Sequence, residues 1–189
     1  MTVTGSWFHA LSVLLVLAGL AKIRSPRSIG PTLTALGLPR SLTSRAAARL
    51  IGTTETVIGL VGLAVGNRPS AAVVLAAYLT LTVVAVHLVR ADSAADCGCF
   101  GAARSPMNRT HVVVDLGFTI AAATAVVAPP GSLAEAWGEQ NTAGLPYLLL
   151  VGALTVVGYL LFTALPALHE AGRGQERATG APASLTRGT

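Results

Sequence analysis

Charged residues are scarce in this chain. Asp, Glu, Lys and Arg make up 11% of its 189 residues, less than half of the roughly 25% typical of soluble domains. So few charges cannot cover a water-facing surface, which excludes a large soluble enzyme and a disordered regulator. Cysteine is nearly absent too. The two present, Cys97 and Cys99, lie one residue apart, so the chain is not a secreted disulfide scaffold. Aromatics are 5% and lysine occurs once, at Lys22. Net charge is +5, but the arginines sit between apolar runs rather than on one polar face, so they read as topology signals and nucleic acid is not an expected partner.

Long apolar runs are what the chain has instead. Five segments, near 7–23, 50–66, 70–89, 111–129 and 145–165, approach the ~20 residues that a spanning helix needs. None alternates with the period-2 pattern of a barrel strand. The expected fold class is therefore all-α: a polytopic membrane helical bundle of about five transmembrane helices, a four-helix core plus a C-terminal span. The first segment has no positive charge before it, while Lys22, Arg24 and Arg27 follow it. This is the reverse of a secretory signal, so a retained helix is expected.

Counting basic residues gives an orientation. With the N-terminus outside, twelve of the thirteen Lys and Arg fall inside and only Arg68 falls outside, as the positive-inside rule requires. The C-terminus and the cysteine motif are then cytoplasmic. Residues 24–49, with Pro26, Pro31 and Pro39, read as a short interfacial helix with turns. Residues 1–166 form one membrane domain, and 167–189, rich in Gly, Ala, Thr and Arg, read as a disordered cytoplasmic tail. Trp7, Trp137 and Tyr147 fit an aromatic belt at the outer face, with His9 at the same interface.

The residues that could carry chemistry are few. Glu55 lies about five residues into the second span, where a carboxylate is costly and a functional role is the default. Gly52, Gly59, Gly62 and Gly66 share its helical face. That small-residue face should admit a neighbouring helix and turn Glu55 inward. Lys22 closes the first span, either as a snorkelling anchor or as the partner of Glu55. His87 ends the third span, and His111 and Asp115 open the fourth, one turn apart. Between them lies Cys97-Gly98-Cys99-Phe100-Gly101. Such closely placed thiols could be small residues at a turn, or metal ligands with His87 or His111, although the spacing is not that of a zinc site. The favoured reading is a dithiol/disulfide couple, strained and so easily exchanged, with Gly98 relieving the backbone. No resident metal is expected. Lys22, Glu55, His87, the cysteines, His111 and Asp115 all fall at one end of the bundle, which points to a single site there.

These pieces resemble the methylamine utilisation protein MauE family, related to DoxX-like membrane proteins. The resemblance rests on Ala18-Gly19-Leu20-Ala21-Lys22, Gly37-Leu38-Pro39, Glu55 and, most specifically, Cys97-Gly98-Cys99-Phe100-Gly101, over about residues 7–129. Where family members often carry Arg-Asn near the start of the fourth span, this chain has Val114-Asp115. The resemblance implies support of membrane thiol–disulfide redox chemistry, in a family implicated in maturation of methylamine dehydrogenase. It also implies a thioredoxin-like partner and a disulfide-containing client. An electron acceptor is then required, and a quinone is a candidate. On this expectation the chain is a candidate thiol–disulfide oxidoreductase, with Cys97 and Cys99 exchanging and Glu55 and Lys22 tuning or protonating them. The alternatives are a non-catalytic assembly factor that holds a client, and a small-solute transporter built on Glu55, Asp115 and the histidines.

Overall fold

The computed structural model describes residues 3–91, 108–138 and 144–179, with side chains from residue 5 and up to residue 164. Every regular element among them is a helix: α1 (Val3–Arg24), α2 (Gly30–Ala35), α3 (Arg45–Val65), α4 (Arg68–Arg90), α5 (Arg109–Val127), α6 (Leu133–Gly138) and α7 (Gly144–Thr179). Five of these, α1, α3, α4, α5 and α7, are long and apolar enough to cross a membrane, so the chain is a polytopic all-α bundle as expected.

The helix ends follow local chemistry. Ser44 caps α3 by accepting a hydrogen bond from the Ala47 amide, and Asn67 caps α4 through the Ser70 amide, each satisfying a backbone donor that the helix leaves unpaired. Gly66 ends α3 in the left-handed region at φ 57°, the conformation that glycine adopts without steric cost. It is thus a C-cap and not the last member of the Glu55 face. Its backbone also accepts from the Gly131 amide, and a side chain at Gly66 would collide with the Gly131 backbone. The turn between α3 and α4 is thereby held against the connection between α5 and α6.

Packing places α1 at the centre. Of its span 61% is buried inside the protein, against 28–33% for the other four. Around it, α4 buries Ala71, Val74, Tyr78, Thr82, Ala85 and Leu88, and α5 buries His111, Asp115, Phe118, Ala122 and Ala125. Both sets recur every three or four residues, the mark of one buried face on a helix. They meet Phe8, Leu11, Leu14 and Leu15 of α1 and Phe162 of α7 in the main apolar core. Large apolar side chains on the opposite faces, such as Val83, Val113 and Ile120, are exposed, as lipid-facing residues should be.

Two elements differ from expectation. The connection after α5 contains α6, whose start is a reciprocal capping box: the Ser132 amide donates to Glu135 Oε2 at 2.7 Å, and the Glu135 amide donates to Ser132 Oγ at 3.0 Å. These bonds hold the exposed Glu135 carboxyl below the usual glutamate value. The second is α7, which continues to Thr179, so residues 167–179 are helical where an irregular tail was expected. Residues 180–189 lie outside the described part. The short interfacial helix expected within 24–49 is α2, and Leu33 of that helix with nearby Ile29 packs against Ala48 of α3.

Candidate functional site

The glycine face of α3 decides where Glu55 goes. The buried residues of this helix are Ala48, Gly52, Glu55, Gly59 and Gly62, one continuous stripe. A Cβ on Gly52 would sit 2.6 Å from the Gly19 carbonyl oxygen, and one on Gly59 2.5 Å from that of Ser12. Only glycine allows α1 and α3 to approach so closely. The close approach brings the last turn of α1 alongside Glu55.

There Lys22 Nζ donates to Glu55 Oε2 at 2.6 Å. The lysine is 1% exposed and the glutamate 9%. Lys22 is therefore no snorkelling anchor: its ammonium stays inside the bundle and pairs with the acid. Its Cβ also limits Gly52, where an added methyl would lie 3.0 Å from it.

Helix α5 supplies two more buried polar groups. Asp115 is 3% exposed and His111 1%, and Lys22 acts electrostatically on the Asp115 carboxylate. The two are not a local His–Asp pair. His111 Nδ1 lies 3.2 Å from Asn108 Oδ1, an oxygen that also accepts the Thr110 and His111 amides. Because that oxygen can only accept, Nδ1 carries the hydrogen, and Nε2 of the neutral ring carries the lone pair. Nε2 is buried and makes no hydrogen bond of ordinary geometry among the described residues, but the Phe162 backbone carbonyl lies close enough to act on the ring as an acceptor. Asn108 was not recognised as a contributor from the sequence, although Asn just before an apolar run is a capping signal.

Other groups complete the surroundings. The His111 ring lies 6.4 Å from Phe162. Phe162, Lys22, Leu14, Leu15, Ala18, Tyr78 and Leu81 line a small pocket of about 20 Å³, enough for roughly one water. Tyr78 donates to the Leu11 carbonyl at 2.8 Å. Thr82 and Thr119 join α4 to α5 at 2.8 Å.

Not every expected residue joins this cluster. His87 is exposed on α4 and faces away from it, because Leu88 takes the buried position of that turn. Cys97, Gly98, Cys99, Phe100 and Gly101 lie within 92–107, outside the described residues. The helices flanking that segment, α4 and α5, meet it at the Lys22 end of the bundle.

The opposite end corrects the idea that buried polar groups gather only once. His9 is 0% exposed and is no interface residue. Its Nε2 lies 3.3 Å from the Gly131 carbonyl, and its Nδ1 lies 2.5 Å from the Tyr147 hydroxyl. A carbonyl only accepts, so Nε2 donates there and Nδ1 accepts from Tyr147. Tyr147, 4% exposed, is turned inward rather than placed in an aromatic belt. This network is satisfied by its own members and ties α1 to α7 and to the loop before α6. On the outside of the bundle an apolar groove of about 480 Å³ runs past Trp7, Val114, Gly117, Phe118, Ala121, Thr124 and Leu161.

The structure thus joins two of the pieces on which the sequence resemblance rested, Lys22 at the close of the central helix and Glu55 on the glycine face. The family model of the methylamine utilisation protein MauE matches residues 4–128. The chain belongs to the MauE family. The match takes in α1 to α5, and so the whole Lys22–Glu55–Asp115–His111 cluster, the cysteine motif and the connection bearing Gly37-Leu38-Pro39; α6 and α7 lie beyond it. No curated protein and no solved structure matches the chain. Among the described residues no group of three or more His, Cys, Asp and Glu could hold a metal ion.

Proposed function

We propose that this MauE-family protein supports thiol–disulfide exchange at the membrane, with Cys97 and Cys99 as the exchanging pair and a thioredoxin-like protein as its partner. The observation that carries the reading is the buried Lys22–Glu55 pair, set at the end of the bundle where α4 and α5 lead into and out of the cysteine segment. A cation near a thiol favours the thiolate, which is the attacking species. In the exchange, one cysteine thiolate attacks a sulfur of the partner's disulfide, forming a mixed disulfide and releasing one partner thiolate, which takes up a proton. The second cysteine thiolate then attacks the mixed disulfide and releases the other partner thiolate. The chain ends oxidised by two electrons and the partner reduced by two; the reverse sequence oxidises the partner instead.

Family membership links the chain to methylamine utilisation, and maturation of a disulfide-containing client is the role this reading assigns there. The apolar groove beside α5 fits an acyl or isoprenoid chain. The assembly-factor reading instead expects the double cysteine variant to support maturation while changes to Gly52, Gly59 and Gly62, the face on which α1 packs, do not. The test is mixed-disulfide trapping with Cys97→Ser and Cys99→Ser variants. One single variant should accumulate the mixed disulfide with the partner, and the double variant none. Client maturation unchanged in the double variant would overturn the proposal.

A further inference from the structure

Among the described residues the buried cluster holds more acids than bases. Lys22 brings one positive charge, whereas Glu55 and Asp115 bring two potential negative ones, all three at most 9% exposed. The other elements packed here supply no compensating ion among the described residues. On α4 the neighbours are Tyr78 and Thr82, and on α7 the neighbour is Phe162. Arg45, Arg49, His87, Arg90 and Arg109 are exposed. A net charge held in an apolar bundle is costly, and proteins remove it by binding a counter-charge or a proton.

We infer that the cluster of Lys22, Glu55, Asp115 and His111 is a proton-binding site that carries one exchangeable proton. The proton rests on Asp115 and has the His111 Nε2 lone pair as its alternative seat. Three observations assign the seats. Glu55 holds the ammonium directly at 2.6 Å, so it is the acid with a counter-charge in contact. Asp115 feels Lys22 only through space and makes no ion pair within contact distance among the described residues. His111 is buried one helical turn from Asp115; its Nδ1 hydrogen is directed to Asn108 Oδ1, and the Phe162 backbone carbonyl stands as an acceptor for a second ring hydrogen on Nε2. His111 and Lys22 also share Phe162 as a neighbour, beside a pocket sized for one water. This site does not depend on the redox reading, because the resting proton is present whether or not Cys97 and Cys99 exchange.

Infrared difference spectroscopy on the purified full chain reads the proton directly. At neutral pH the wild type should show the C=O band of a buried carboxylic acid, shifted in D2O. Asp115→Asn should abolish the band. Glu55→Gln should also abolish it, because Lys22 then takes Asp115 as its partner. Lys22→Met should double it, because both acids then hold protons. The Cys97→Ser/Cys99→Ser variant should keep it, so failure here is distinct from failure of the exchange reaction. A band that survives Asp115→Asn but not Glu55→Gln would overturn the assignment. So would a wild-type chain without an acid band, and a band displaced by sodium or methylammonium ions would make a cation the occupant instead. A hydrophobic carbodiimide, which modifies protonated buried carboxyls, gives a readout without substitution. An adduct on Asp115 is expected, and an adduct on Glu55 alone overturns the proposal.

Discussion

A lysine 1% exposed in an apolar bundle is tolerable only as part of a charge-compensated group. Removing one partner of such a pair leaves the other buried and uncompensated, typically at a cost of about 3–5 kcal/mol. The two halves of this pair are not equivalent, because Asp115 stands in reserve. Lys22→Met should therefore lower stability in detergent-phase unfolding by about 3–5 kcal/mol, whereas Glu55→Gln should cost clearly less. The double variant Lys22→Met/Glu55→Gln should recover part of the single Lys22→Met loss. Equal losses for the two single variants would contradict the role given to Asp115. At this scale the sequence was informative where residue type and depth agree: a glutamate in a spanning helix and a lone lysine at a helix end. It was silent about rotation. His87 and His111 look alike in sequence, each near the same end of a span, yet one is exposed and the other buried.

Between α1 and α3 the contact is made by backbone, not by side chains. An added methyl at Gly59 meets the Ser12 carbonyl oxygen at 2.5 Å and Val16 Cγ2 at 2.7 Å, and a helix backbone cannot yield as a flexible side-chain end can. Gly59→Leu should thus force the helices apart and cost about 1–3 kcal/mol, the usual range for overpacking. The same substitution at Gly152 of α7, where nothing lies within 4 Å, should leave the midpoint of thermal unfolding unchanged or raised. Since Lys22 Cβ lies in the same seam, separating α1 from α3 should also weaken the ion pair. This face was legible from Gly52, Glu55, Gly59 and Gly62 because helical period alone puts them together. Helix α6 was not recognised, although Ser132 and Glu135 stand at capping-box spacing; two turns with no apolar period give little signal. The extension of α7 was also missed, because a Gly- and Arg-rich composition argues against a helix that its continuity with an apolar span sustains.

For the molecule as a whole, the distribution of basic residues predicts a sidedness. Twelve of thirteen Lys and Arg share one side when the N-terminus is outside. In intact cells, Cys97 and Cys99 should react with a membrane-permeant thiol reagent and resist an impermeant one until the membrane is opened. Labelling by the impermeant reagent in intact cells would reverse the orientation and place the exchange chemistry on the outer face.

Some of this needed no tertiary structure. Scarce charge and five apolar runs already dictate a helical membrane bundle, because a lipid interior accepts only segments that satisfy their own backbone. Helical period then puts Glu55 on the glycine face. The tertiary structure alone decided which neighbour fills that face, since any small-residue stripe could receive any helix. It also drew His9 and Tyr147 inside at the far end, and buried a second acid, Asp115, at the Lys22–Glu55 end. Those outcomes depend on how helices far apart in the chain rotate against one another, a degree of freedom that no local pattern of residues encodes.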